Sequence, residues 1–116
     1  MAETRTQTKI DQDANGAGVT VLCAAVADKV ARLRLLVGSI DAVGTLRIET
    51  TDDANLNGPM DLSGPMEFTE AGGLVHIASG RDINIDKDLC ISSTVGLGLQ
   101  INTSQTFNGI AICTQD

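Results

Sequence analysis

From Val19 to Cys113, short apolar runs return about every 8–12 residues between polar and glycine-rich stretches, a rhythm that predicts an all-β chain. Strands are expected at Val19–Val26, Val30–Val37, Thr45–Thr50, Met66–Thr69, Leu74–Ala78 and Ile83–Asp86, then at Leu89–Ser93, Val95–Ile101 and Phe107–Cys113. Several carry the period of two that a half-buried strand requires. Arg32 and Arg34 alternate with Leu33 and Leu35, and Thr45, Arg47 and Glu49 with Leu46 and Ile48. Asn84 and Asp86 alternate with Ile83 and Ile85, and Gly96, Gly98, Gln100 and Asn102 with Val95, Leu97, Leu99 and Ile101. The expected fold class is all-β.

One stretch reads two ways. Leu22, Val26, Val30, Leu33 and Val37 also form a helical stripe, and Ala24, Ala25, Ala27 and Ala31 favour helix. Arg34 beside the stripe and the run into Gly38 favour strand. Asp41-Ala42-Val43-Gly44 then reads as the loop of a hairpin between two alternating runs.

Residues 1–17 are polar and lead into a turn-rich Asp-Ala-Asn-Gly-Ala-Gly run that reaches Gly18. Thr4, Thr6 and Thr8 alternate with Arg5, Gln7 and Lys9, a strand-like composition without a buried face, so the segment is either an edge strand or an extended arm. The domain division expected is a polar N-terminal arm over 1–17 and a single β-sandwich over 18–116. Leu56-Asn57-Gly58-Pro59-Met60-Asp61 and Leu62-Ser63-Gly64-Pro65-Met66-Glu67 form a short internal repeat. It holds both prolines of the chain, which predicts turns or edge-strand kinks because proline lacks a ladder donor. Two copies are too few for a solenoid.

A chain of 116 residues buries roughly two-thirds of its unfolded surface, enough for one core without metal or disulfide. Its apolar content of 42% places it among globular chains. The net charge of −7 sits in one half: residues 1–50 hold six basic and six acidic side chains, residues 51–116 two and nine. Nucleic-acid affinity comes from Lys and Arg on phosphates and from aromatic stacking. With no Trp or Tyr and this acidic balance, no nucleic-acid partner is expected. MAETRTQTKI has no apolar h-region, and no run approaches the roughly 20 apolar residues of a spanning helix, so neither signal peptide nor membrane is expected. Cys23, Cys90 and Cys113 each sit in an apolar run without a C-x-x-C pair, and read as reduced core residues of a protein made in a cytosol.

Candidate chemistry is sparse. Asp11, Asp13 and Asn15 with Gly16 copy the first half of a calcium loop, but Leu22 stands where the bidentate Glu should be. They remain a weak calcium candidate, and no metal or cofactor is expected. The lone His76 lies in a strand with no nucleophile setting, so no catalytic residue and no enzyme activity are expected. Asp52-Asp53 and Asp82, Asp86 and Asp88 read as solvated charges, and there is no Trp or Tyr for a sugar platform. Gly16-Ala17-Gly18 lacks the third glycine of a phosphate loop. If Leu33, Leu35, Leu46 and Ile48 face the core, then Arg32, Arg34 and Arg47 project from one face of the hairpin. Such a strip suits a carboxylate-bearing partner, although a solvated face balanced by Glu49 accounts for it equally well.

The block from Lys29 to Cys113 resembles small virion proteins of tailed bacteriophages, the capsid decoration or cement proteins and similar head-surface accessories. The residues that carry this are Lys29-Val30-Ala31-Arg32-Leu33-Arg34-Leu35-Leu36-Val37-Gly38-Ser39, Thr45-Leu46-Arg47-Ile48-Glu49-Thr50 and Leu62-Ser63-Gly64-Pro65-Met66. They continue with Ala71-Gly72-Gly73-Leu74-Val75, Ser79-Gly80-Arg81-Asp82-Ile83-Asn84-Ile85 and Gly109-Ile110-Ala111-Ile112-Cys113. The chain departs from the pattern over Asp86–Thr106, which is longer, and lacks aromatics before Ser79-Gly80. The resemblance implies an antiparallel β-sandwich or jelly roll, a homotrimer on the outer capsid surface of a virion, synthesised in the host cytoplasm. It implies that the protein ties neighbouring copies of the major capsid protein together by burying of the order of 1,000 Å² per contact. The polar arm would extend over a neighbour, and Arg5, Lys9, Arg32, Arg34 and Arg47 are the expected partner-binding residues. The alternative is a receptor- or glycan-binding β-sandwich module of a phage tail or fibre.

Overall fold

Eleven strands and no helix form within residues 4–11, 18–51, 58–78, 80–82 and 87–116, the parts of the chain that the computed structural model describes. They are β1 (Thr4–Asp11), β2 (Gly18–Cys23), β3 (Ala31–Ile40), β4 (Gly44–Thr50), β5 (Met66–Phe68) and β6 (Gly73–Ala78). There follow β7 (Gly80–Asp82), β8 (Lys87–Leu89), β9 (Ile91–Ser92), β10 (Leu99–Thr103) and β11 (Phe107–Gln115). The expected strand at Ile83–Asp86 lies outside the described residues.

One sheet has the order β1-β11-β3-β6, with β9 also on β3; the other has the order β2-β10-β4-β5; β7 and β8 pair as a separate ribbon. Every pairing is antiparallel. Taken in order, each strand of one sheet has its sequence neighbour at the same place in the other: β1 with β2, β11 with β10, β3 with β4, β6 with β5. That is the winding of a jelly roll.

This winding corrects the expected hairpin. β3 and β4 do not pair; β3 lies between β11 and β6, and β4 between β10 and β5. Residues 41–43 therefore carry the chain from one sheet to the other, anchored by the Asp41 amide on the Thr106 carbonyl at 3.1 Å. Of the two readings of the N-terminal segment, edge strand or extended arm, Thr4–Asp11 takes the first, running residue for residue against Asn108–Gln115 at the edge of the first sheet. Thr8 Oγ1 also donates to the Leu22 carbonyl at 2.9 Å, joining β1 to the facing sheet.

Two bulges set which side chains are inside. Between β3 and β11 the register passes from Leu35↔Ile112 to Leu33↔Cys113, leaving Arg34 as the extra residue. The inward phase therefore runs Ala31, Leu33, then Leu36 and Ile40, all of them buried, while Leu35, expected inside, is only half-buried. A bulge adds one residue to one strand and so reverses the parity beyond it. A second shift, between Leu99 and Gln100 opposite β2, lets consecutive Leu22 and Cys23 both enter the core. There they join Leu46, Ile48, Leu99, Ile101, Phe107 and Ala111.

The ambiguous segment from Leu22 to Val37 is two strands and a turn. β2 stops at Cys23, Ala24–Asp28 are exposed, and Asp28 takes a positive φ of 64° before β3 begins. The strand expected at Val95–Ile101 starts later, at Leu99. Val95 and Gly96 form a turn, with the Leu97 amide on the Thr94 carbonyl at 3.0 Å and Gly96 at φ +86°. In the proline repeat, the described residues 58–67 form edge structure on β4. The amides of Thr50 and Leu62 donate to the carbonyls of Met60 and Ile48, each at 2.9 Å. Asp61 Oδ1 accepts from the amides of Ser63 at 3.3 Å and Gly64 at 2.8 Å, closing the turn before β5.

Candidate partner-binding face

The outward face of the β1-β11-β3-β6 sheet is assembled from rows set by the strand register. One row crosses Arg5, Thr114 and Arg32. The next crosses Gln7, Ile112, Leu35 and Ala78, and the next Lys9, Ile110, Val37 and His76. The last crosses Asp11, Asn108, Ser39 and Leu74. Arg5, Gln7, Lys9, His76 and Ala78 are exposed. Within that polar margin Ile110 and Val37 stand 38% and 37% exposed, and Leu74 81% exposed, with Leu35 and Ile112 half-buried beside them. The result is an apolar stripe flanked by basic side chains.

The β3 bulge is what builds the basic end. It places Arg34 next to Leu35 on the outer side, with Arg32 two residues away. The Arg34 Nε donates to Thr114 Oγ1 at 2.9 Å, which holds the guanidinium across β11. Arg32 Nη2 lies 3.5 Å from Asp116 Oδ1 at the chain end, a partly exposed pair worth little to stability. Four of the five basic residues expected to bind a partner thus share one face: Arg5, Lys9, Arg32 and Arg34.

Arg47 does not join them. It lies on β4, in the other sheet, with Nη1 3.7 Å from Asp61 Oδ2. The outward side there is mixed: Glu67 is exposed, Val19 and Val21 stand 53% and 48% exposed, and Glu49 is 7% exposed with Oε1 accepting from Gln100 Nε2 at 2.7 Å. The single arginine strip expected from alternation is therefore split between two sheets. Four basic residues thus belong to one sheet, with Asp116 beside Arg32, while the other sheet sets Arg47 among Glu49, Asp61 and Glu67.

Sequence reasoning missed the apolar half of the face, because Leu35, Val37, Ile110 and Ile112 were assigned to core strands. A signal existed. Leu35-Leu36-Val37 and Ile110-Ala111-Ile112-Cys113 are apolar in both phases, and a strand with only one buried side has no need of that.

The remaining candidates are quickly placed. Asp13 and Asn15 lie outside the described residues, and Asp11 ends β1 opposite Asn108. Asp52, Asp53 and Asp86 also lie outside them, while Asp82 and Asp88 are on the β7–β8 ribbon. Among the described residues no group of three or more His, Cys, Asp or Glu side chains could hold a metal. His76 is exposed on β6, opposite Val37. No protein-family model, curated protein or solved structure matches this chain.

Proposed function

We propose that this protein is a structural component of a bacteriophage virion that decorates the capsid and ties neighbouring subunits of the major capsid protein together. It docks through the outward face of β1-β11-β3-β6. The observation that carries this reading is an apolar stripe flanked by Arg5, Lys9, Arg32 and Arg34 on a chain of net charge −7. Apolar area supplies affinity, and the basic margin selects an acidic partner surface and orients the approach. The acidic remainder faces solvent and keeps a decorated particle dispersed. The jelly roll is an architecture of viral capsid proteins and also of lectins, but a sugar platform is poorly served by a chain without Trp or Tyr.

The working form is a homotrimer, so the mass in solution by light scattering is expected near three times 12.1 kDa. Purified protein is expected to co-sediment with capsids built from the major capsid protein of the same genome, with binding weakened by salt. A monomer that stays in the supernatant would overturn the reading.

A further inference from the structure

Cys23 and Cys113 are distant in sequence but meet in the core. Cys23 ends β2 in one sheet, and Cys113 lies on β11 in the other, opposite Leu33. They are 2% and 0% exposed, both are free thiols in the one buried core cluster, and residues just beyond them bridge the sheets, Gln115 Nε2 donating to the Ala24 carbonyl at 2.7 Å. The Cα traces of β2 and β11 come within 8 Å of each other. Loss of hydration pushes both thiols up, Cys113 to about 12, with the neighbouring Cys23 adding to the effect. In the closed fold the pair is therefore protonated and inert at neutral pH, since the thiolate is the nucleophile.

We propose that Cys23 and Cys113 are the site of an inter-sheet disulfide, formed by exchange with a small-molecule disulfide while the sheets are still open. One cysteine thiolate attacks the small disulfide, expelling one thiol and leaving a mixed disulfide. The second cysteine attacks that bond and expels the other thiol. Two protein thiols lose two protons and two electrons, and one small disulfide is reduced to two thiols. The closed loop spans the positions from 23 to 113, nearly the whole fold. Long loops are those for which a cross-link removes most entropy from the unfolded chain. In a reducing cytosol the pair stays as thiols; refolding or assembly in an oxidising medium locks the two sheets together.

Cys90 supplies the internal control. It is half-buried outside the core, with Sγ 3.4 Å from Ser92 Oγ, and belongs to no such pair. The test is to refold the full chain, as wild type and as Cys90→Ser, in a glutathione redox buffer, followed by peptide mapping without reductant. Both are expected to become two hydrogens lighter, to give a linked peptide pair containing Cys23 and Cys113, and to melt about 10–20 °C higher than the reduced form. Two titratable thiols remaining in refolded, denatured Cys90→Ser would overturn the proposal. So would wild-type protein linked through Cys90, or a bonded form that melts lower than the reduced one.

Discussion

Phe107→Ala is expected to remove roughly 3–5 kcal/mol of stability, a large share of the roughly 5–15 kcal/mol that holds a domain folded. Phe107 is fully buried at the start of β11 and heads the largest buried side chains. Its partner in register is Ile40, and its ring covers Gly38 so closely that a Cβ there would lie 2.5 Å from Phe107 Cζ. The chain has only one other phenylalanine and neither Trp nor Tyr, so no larger side chain is at hand to fill the space. Guanidinium unfolding of the variant measures the loss. A cost under about 1 kcal/mol would mean that the core does not centre on this ring.

Gly98→Ala is expected to be comparably severe, about 3 kcal/mol, although it adds a single carbon. Gly98 is buried just before β10, where that strand enters between β2 and β4. A Cβ would collide with the Cys23 carbonyl oxygen and lie 2.8 Å from both Ala24 C and Ala25 N, all of them backbone atoms. Backbone cannot rotate away as a side-chain tip does, so β2 must shift from β10 as a unit. The same residue ties the sheet to the next turn, its amide donating to Thr51 Oγ1 at 3.0 Å and its carbonyl accepting from the Thr51 amide at 3.2 Å. Thermal melting is the check, and a variant within about 1 °C of wild type would contradict the close approach.

Alternation made the strand content legible because each strand has one wet side. Leu46 and Ile48 against Arg47 gave β4 in both position and phase, and Leu74–Ala78 gave β6 to within one residue. What alternation does not carry is the identity of a strand's partner. The loop at Asp41–Val43 looks the same whether it closes a hairpin or crosses between sheets, which is why Arg47 was grouped with Arg32 and Arg34. Bulges are equally silent in composition: Arg34 as an extra residue moves the inward position from Leu35 to Leu36. Val95 and Leu97 kept the period of two through a turn, because Gly96 fits either backbone.

The candidate face was half legible. Basic residues on β1 and β3 pointed to a docking surface, and the pairing of both strands with β11 brings them onto one sheet. The apolar stripe between them became visible only once the core had claimed Leu33, Leu36, Ala111 and Cys113, leaving Leu35, Val37, Ile110 and Ile112 outside. Likewise the thiol pair needed the topology, since nothing in the spacing of Cys23 and Cys113 brings them together.

Charge reversal on opposite faces of the sandwich tests the docking face most directly. Capsid co-sedimentation is measured for wild type, for Arg32→Glu with Arg34→Glu on the basic face, and for Glu67→Lys on the other sheet, each first shown to melt near wild type. The docking face proposed predicts that the double arginine variant loses at least about tenfold in affinity while Glu67→Lys binds as wild type does. Unchanged binding by the double variant, or loss on Glu67→Lys alone, would contradict it.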